Sequence, residues 1–174
     1  MASKIKITFL GTSDAIPSAR RNHTSIFLNY ASENILIDCG EGTQRQIRKA
    51  GLNPCKITKI LITHWHGDHV LGIPGLLQTL ALSGYNKILY IYGPRGTKKY
   101  LEEIMKIFKL VGKYEIKVEE ILSKGKFYET SDFYLEAEQM EHGTPANAYS
   151  FAIKDRIRID KKKLEKSKLS FGPH

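Results

Sequence analysis

Three of the chain's six histidines and a carboxylate fall within one short segment, His64-Trp65-His66-Gly67-Asp68-His69, directly after the apolar run Ile60-Leu61-Ile62. Residues two apart on an extended backbone point to the same side, so His64 and His66 present their imidazoles together to one cation. A bend after them delivers Asp68 and His69. Imidazole with carboxylate suits a borderline divalent ion such as zinc, with manganese or iron as alternatives. A mixed nitrogen and oxygen set belongs to hydrolytic centres rather than to structural thiolate sites. The plainer alternative is a surface cluster of ordinary histidines, and the position right after a buried strand weighs against it. His142 is the next candidate, since it follows the strand-like Gln139-Met140-Glu141 and precedes Gly143-Thr144-Pro145, a loop able to bring it inward. A single histidine at a strand end is more often structural, but catalytic zinc usually takes three protein ligands and keeps a position open for water. His64, His66 and His142 then form one set, while Asp68 and His69 begin a second. Two metals about 3.5 to 4 Å apart can hold both the attacking and the leaving oxygen of a phosphodiester.

Such a centre needs strands that end at it. Lys4 to Leu10 reads as a strand, and Thr24 to Tyr30 with Ile35 to Asp38 as a hairpin joined through Ala31-Ser32-Glu33-Asn34. Thr43 to Ala50 reads as a helix closed by Gly51, and Gly75 to Leu82 as an apolar helix ending near Gly84. Ile88 to Tyr92 is a buried strand stopped by Gly93-Pro94. The helix expected over Thr97 to Leu110 carries Tyr100, Leu101, Ile104, Ile107 and Phe108 on one stripe. Tyr114 to Val118, Phe133 to Met140 and Ala148 to Ile153 supply further strands. Many strands with interspersed helices predict a mixed sheet protein with helices covering it.

A chain of 174 residues with 41% apolar content is long enough for one domain with its own core. Cys39 and Cys55 have neither metal-finger spacing nor the density of a disulfide framework, which points to a reducing cytoplasm. No signal-peptide core or membrane span is evident. A net charge of +9 makes a polyanion the leading partner class. Part of that excess is local, because Lys154 to Lys168 holds eight Lys/Arg against Asp155, Asp160 and Glu165. A solvated, partly helical arm explains such a run equally well, and the two readings are compatible. The Gly11-Thr12-Ser13 turn lacks the glycine spacing and the following lysine of a phosphate loop.

The His-x-His-x-Asp-His segment resembles the signature of the metallo-β-lactamase superfamily, which spans lactamases, thioesterases, lactonases, sulfatases and nucleases. The surrounding words are narrower. Phe9-Leu10-Gly11-Thr12, Ile37-Asp38-Cys39-Gly40-Glu41-Gly42-Thr43-Gln44, the run from Gly67 to Leu77 and Tyr92-Gly93-Pro94 are similar to ribonuclease Z, the tRNA 3′-processing endonucleases. The resemblance runs over essentially the entire chain. It implies an α/β (α+β type) fold, the metallo-β-lactamase αββα sandwich, here mainly its first half. Residues 1–153 would be the amino-terminal part of that domain and residues 154–174 a basic tRNA-binding arm.

The resemblance also implies a two-zinc centre that cuts precursor tRNA and leaves a 3′-hydroxyl on the tRNA. By position, His64, His66 and His142 would bind one zinc and Asp68 and His69 the other, with Asp68 the proton acceptor for the attacking water. Asp38 corresponds to an acidic position beside the site, expected to orient an imidazole. Lys161, Lys162 and Lys163, with Gly172-Pro173, correspond to the arm that holds the tRNA body by phosphate contacts. The family commonly forms homodimers. The family's bridging Asp, its last metal-binding His and a later His that protonates the leaving group have no counterparts here, since Asp155, Asp160 and His174 are the only Asp and His after His142. An amino-terminal portion ending inside the arm is therefore expected, inactive alone, with zinc partial or absent until the carboxy-terminal half is supplied. The alternatives are a catalytically incomplete RNA-binding or dimerisation module, and a small-molecule phosphodiesterase or other hydrolase of the same superfamily.

Overall fold

Alternation along the strands sorts side chains into two layers. In β2 (Ser25–Tyr30), Phe27 faces a cluster built with helices, while Leu28 and Tyr30 face a second sheet. In β3 (Glu33–Ile37), Leu36 joins the first cluster and Ile35 the second. This period-two division is what a strand buried on both faces requires. The computed structural model describes residues 4–109 and 113–155.

The larger sheet has the order β1-β2-β3-β4-β5-β6, adding β1 (Lys6–Gly11), β4 (Lys59–Leu61), β5 (Leu89–Gly93) and β6 (Ile116–Glu120). Its β1–β2 and β2–β3 pairs are antiparallel and the rest parallel. Its outer face is covered by α1 (Thr43–Lys49), the single turn α2 (Gly67–Val70), α3 (Ile73–Leu82) and α4 (Thr97–Ile107). Ile47, Val70, Ile73, Leu76, Leu80 and Leu101 supply their buried contacts. The smaller antiparallel sheet, β7 (Gly125–Glu129), β8 (Phe133–Met140) and β9 (Ala146–Ile153), lies on the inner face. Phe133, Leu135 and Ala137 meet Leu61 and Tyr92 there. Tyr30 packs edge-on against Phe133 and Phe151. Among the described residues the layers are therefore α, β and β, and no helix is long and apolar enough to cross a membrane.

Several expectations shift. The hairpin turn is tighter than the four residues read from the sequence: β2 and β3 are separated by Ala31 and Ser32 alone, with Ala31 at φ 52°. The ladder continues to Glu33 and Asn34 because the Asn29 amide donates to Asn34 Oδ1 at 3.0 Å. Strand β7 was not expected; a register irregularity between Lys126 and Tyr128 breaks its alternation. The apolar stripe of α4 is mostly uncovered, with Ile107 71% and Phe108 56% exposed, because the helix lies by the edge strand β6 and only Thr97 and Leu101 are buried on it. Lys161, Lys162, Lys163, Gly172 and Pro173 lie outside the described residues.

Candidate metal centre

The parallel strands β3, β4 and β5 end on the same side, and the histidine-rich segment leaves β4 there. His64 and His66 sit on the extended link between β4 and α2, and the ring centroids of His64 and His66 are 4.7 Å apart. Strand β9 fixes the other half of the cluster. Its Asn147 N–H donates to Thr63 O at 2.8 Å, and its Tyr149 hydroxyl donates to Ile62 O at 2.8 Å. The loop between β8 and β9 therefore closes over the link and sets His142 Nε2 3.1 Å from His64 Nε2. Ligand atoms of His64, His66 and His142 all lie within 4.8 Å of one another.

Asp38 organises the neighbouring pair. It directly follows β3, in the left-handed region at φ 56°, a conformation that costs a non-glycine residue energy and is held by its bonds. Its carboxylate accepts from Thr63 N–H at 2.8 Å, from Thr63 Oγ1 at 2.8 Å and from His69 Nδ1 at 2.6 Å. With its hydroxyl proton given to Asp38, Thr63 Oγ1 can accept at 3.0 Å from His64 Nδ1. This network assigns the Nδ1–H tautomer to both His64 and His69, so each presents an Nε2 lone pair, the form in which imidazole binds a metal. His69 Nε2 lies 3.3 Å from Asp68 Oδ2. Three convergent imidazoles beside a carboxylate and a fourth imidazole fit borderline divalent cations.

The charges of the two histidines diverge. Burial, reinforced by the nearby His69 and His142, holds the His64 pKa down to about 4. Burial also disfavours charge on His69, but the hydrogen bond and charge of Asp38, with the charge of Asp68, outweigh it and raise the His69 pKa.

Close backbone approach completes the frame. Cys39 N–H donates to His69 O at 2.7 Å and Gly72 N–H to Cys39 O at 2.8 Å. A side chain on Gly40 would strike Asp68 O and the His23 Cβ, and one on Gly72 would strike Gly40 O. Trp65 turns away from the centre, donating to Thr97 Oγ1 at 2.8 Å and packing on Tyr100. Burial lifts the Cys39 thiol to about 12, so Cys39 is an inert packing group. Thr63 was not among the sequence candidates; a threonine carries no ligand signal, and only its position immediately before His64 pointed to it.

Two packed sheets with helices on an outer face and a histidine centre at the strand ends define a metallo-β-lactamase fold protein. Human tRNase Z, short form (ELAC1), matches with a TM-score of 0.79 at 32% identity, covering 85% of this chain and 64% of that one. The metallo-β-lactamase fold protein YhfI of Bacillus subtilis gives 0.70 at 18% identity over 85% of this chain and 57% of that one, a likeness of fold alone. Residues 5–167 match the family model described as Anti-Pycsar protein Apyc1, and the chain belongs to that family. Curated relatives named ribonuclease Z carry the resemblance read from the sequence. That of Methanothermobacter thermautotrophicus is 44% identical over 97% of this chain and 55% of its own length. That of Methanocaldococcus jannaschii is 42% identical over 97% of this chain and 54% of its own length. The chain spans about half the length of the curated relatives it matches.

Proposed function

We propose that this chain carries the first ligand set of a zinc-dependent endoribonuclease that removes the 3′ trailer from precursor tRNA. The observation that carries the reading is the convergence of His64, His66 and His142, with Asp68 and His69 beside them, in a chain whose curated relatives are named ribonuclease Z. His64, His66 and His142 would hold one zinc, and Asp68 and His69 the other. When bound, the two ions supply charge neutralisation for a phosphodiester and a nucleophilic water near neutral pH. The chain's own residues then divide the remaining work. Asp68 orients the attacking water and accepts its proton at a carboxylate oxygen. Asp38 fixes the His69 tautomer, and Thr63 does the same for His64. Lys161, Lys162 and Lys163, with Gly172 and Pro173, would hold the tRNA body through its phosphates, positioning the cut without reading sequence. The setting is the cytoplasm, and the working assembly a homodimer.

The isolated chain is inactive in this reading, because first-half ligands alone cannot hold both attacking and leaving oxygens in line. Strand β9 supports incompleteness. Its outer edge is unpaired among the described residues. Inner-face Ile7 and Phe9 of β1 are 54% and 66% exposed, as a sheet awaiting further strands leaves them.

The test supplies the missing half. The 174-residue chain is assayed on precursor tRNA alone and with the carboxy-terminal segment of a relative in trans. Expected are no cleavage alone, restored cleavage on addition, and its loss in Asp68→Ala with tRNA binding retained. Robust cleavage by the chain alone overturns the incompleteness, and no cleavage by a folded, complemented protein overturns the nuclease reading in favour of an RNA-binding module. A second reading is a small-molecule phosphodiesterase or other hydrolase of the same superfamily, which the same histidine centre would serve. Turnover of a small diester without tRNA cleavage would decide for it.

A further inference from the structure

At the other end of the strands the fold builds a recess with a different chemistry. Its volume is about 500 Å³, within the range of small-molecule sites. Lys6 of β1, Lys56 of the short 3₁₀ turn after Asn53 and Lys87 ahead of β5 line it, and no carboxylate does. Lys6 stands opposite Asn29 in the β1–β2 ladder, so their side chains share one face, the face on which Phe27 is buried. The metal centre is four residues along β3, roughly 13 Å away at strand rise, so nothing bound here touches the reacting atoms.

Charge distinguishes the recess from the rest of the sheet. Lys59, the nearby lysine inside the protein, is buried and neutralised by Glu33 at 2.6 Å. Lys6, Lys56 and Lys87 make no ion pair among the described residues. Three like charges around one concavity repel each other, and an anion seated between them converts that repulsion into attraction. Neutral donors are present as well. Asn53 spends its Oδ1 on Cys55 N–H at 2.9 Å, which leaves the Asn53 Nδ2 hydrogens without a partner among the described residues. Half-buried Leu52 adds apolar surface to the lining, over the buried Phe27 ring.

We propose that this recess binds a nucleotide, its phosphate held by Lys6, Lys56 and Lys87 and its base lodged against the half-buried Leu52 beside Asn29 and Asn53. Ammonium groups bind phosphate as point charges and tolerate either a terminal or a bridging phosphate. The ligand can therefore be a free nucleotide or one nucleotide of an RNA strand. The inference does not depend on the activity assigned to the metal centre.

The test uses the 174-residue chain in EDTA, so that the histidine centre does not capture the probes. Adenosine monophosphate, adenosine, inorganic phosphate and a 5′-phosphorylated trinucleotide are titrated against ¹⁵N-labelled protein. Adenosine monophosphate or the trinucleotide should shift the Asn53 side-chain amide and the Gly51 N–H. The Lys56→Gln/Lys87→Gln variant should bind at least tenfold more weakly with an unchanged thermal midpoint, and Lys56→Arg/Lys87→Arg should restore binding. Tighter binding of the trinucleotide assigns the RNA source, and equal or tighter binding of the monophosphate the free nucleotide. Adenosine binding as tightly as its monophosphate, inorganic phosphate binding as tightly as either nucleotide, or shifts confined to His64, His66 and His142 each overturn the proposal.

Discussion

His64 and His69 show how one carboxylate can give two neighbouring imidazoles opposite charge preferences. Asp38 hydrogen-bonds His69 directly but His64 only through Thr63, so burial prevails over its charge at His64, whereas at His69 burial is outweighed by the bond and charge of Asp38 together with the charge of Asp68. In the metal-free chain, ¹⁵N shifts of the imidazoles should show His64 neutral down to about pH 4, whereas His69 takes its proton above the ordinary histidine value. The linked stabilities run in opposite directions. The folded pKa of His64 is depressed, so its contribution is present above 6.5 and is lost as pH falls towards about 4. That of His69 is raised, so its contribution is complete below 6.5 and is lost as pH rises through the folded value. Asp38→Asn should bring His69 back towards or below 6.5; an unchanged His69 titration would remove Asp38 as the cause. At this scale the His-x-His-x-Asp-His spacing was legible because its residue types are scarce and chemically specific. Thr63 was silent, and so was the left-handed backbone of Asp38, since both act through a network that exists only after β3 and β4 pair.

The elements divide in the same way. Strand β8 was read with the bounds it has, Phe133–Met140, because its first half alternates between buried and half-exposed positions. Helix α1 and its Gly51 stop were legible from a local signal, and Gly51 adopts φ 66°. Strand β7 was missed because its irregularity depends on the partner strand, and the exposed stripe of α4 because coverage depends on where the sheet ends. Short β4 carries a lysine that reads as a surface residue, yet Lys59 lies between the sheets, bonded to Glu33 and 4.1 Å from the Tyr128 ring centroid. Thr58 Oγ1 also donates to Glu33 at 2.6 Å, so this carboxylate holds the start of β4 twice. Removing it strands a buried ammonium, and Glu33→Ala should cost on the order of 3 kcal/mol in urea unfolding. Lys59→Met in that background should recover much of the loss, because the uncompensated charge is then gone. A loss below about 1 kcal/mol, the range of exposed pairs, would mean that Lys59 finds water or another partner.

Over the whole molecule, the strand edges are protected unequally. Strand β1 has a register irregularity between Phe9 and Gly11, β6 carries Lys117, Glu119 and Glu120, and β7 is irregular and carries Lys126. Such charges and irregularities keep an edge from pairing with another chain. Strand β9 has none of them. Its eight residues, Ala-Asn-Ala-Tyr-Ser-Phe-Ala-Ile, are uncharged and pair with β8 without a shift in register, and its outer edge is unpaired among the described residues. The inner face of β1 is apolar and open, so a strand added beside β9 would gain ladder hydrogen bonds and cover Ile7 and Phe9 together. None of this was legible in the sequence, where β9 reads as one more ordinary strand, because an edge is a property of the sheet. The purified chain should therefore associate as its concentration rises, visible as a growing weight-average mass in sedimentation velocity. Ser150→Lys should suppress that association, since Ser150 is exposed and on the face away from Phe151, and a charge there opposes a neighbouring copy without entering the core. Thermal unfolding of the variant should stay within about 0.5 kcal/mol of the parent, as for other surface changes. Association that persists unchanged in Ser150→Lys would place the contact elsewhere, with the exposed Ile107 and Phe108 of the α4 end the next surface to change.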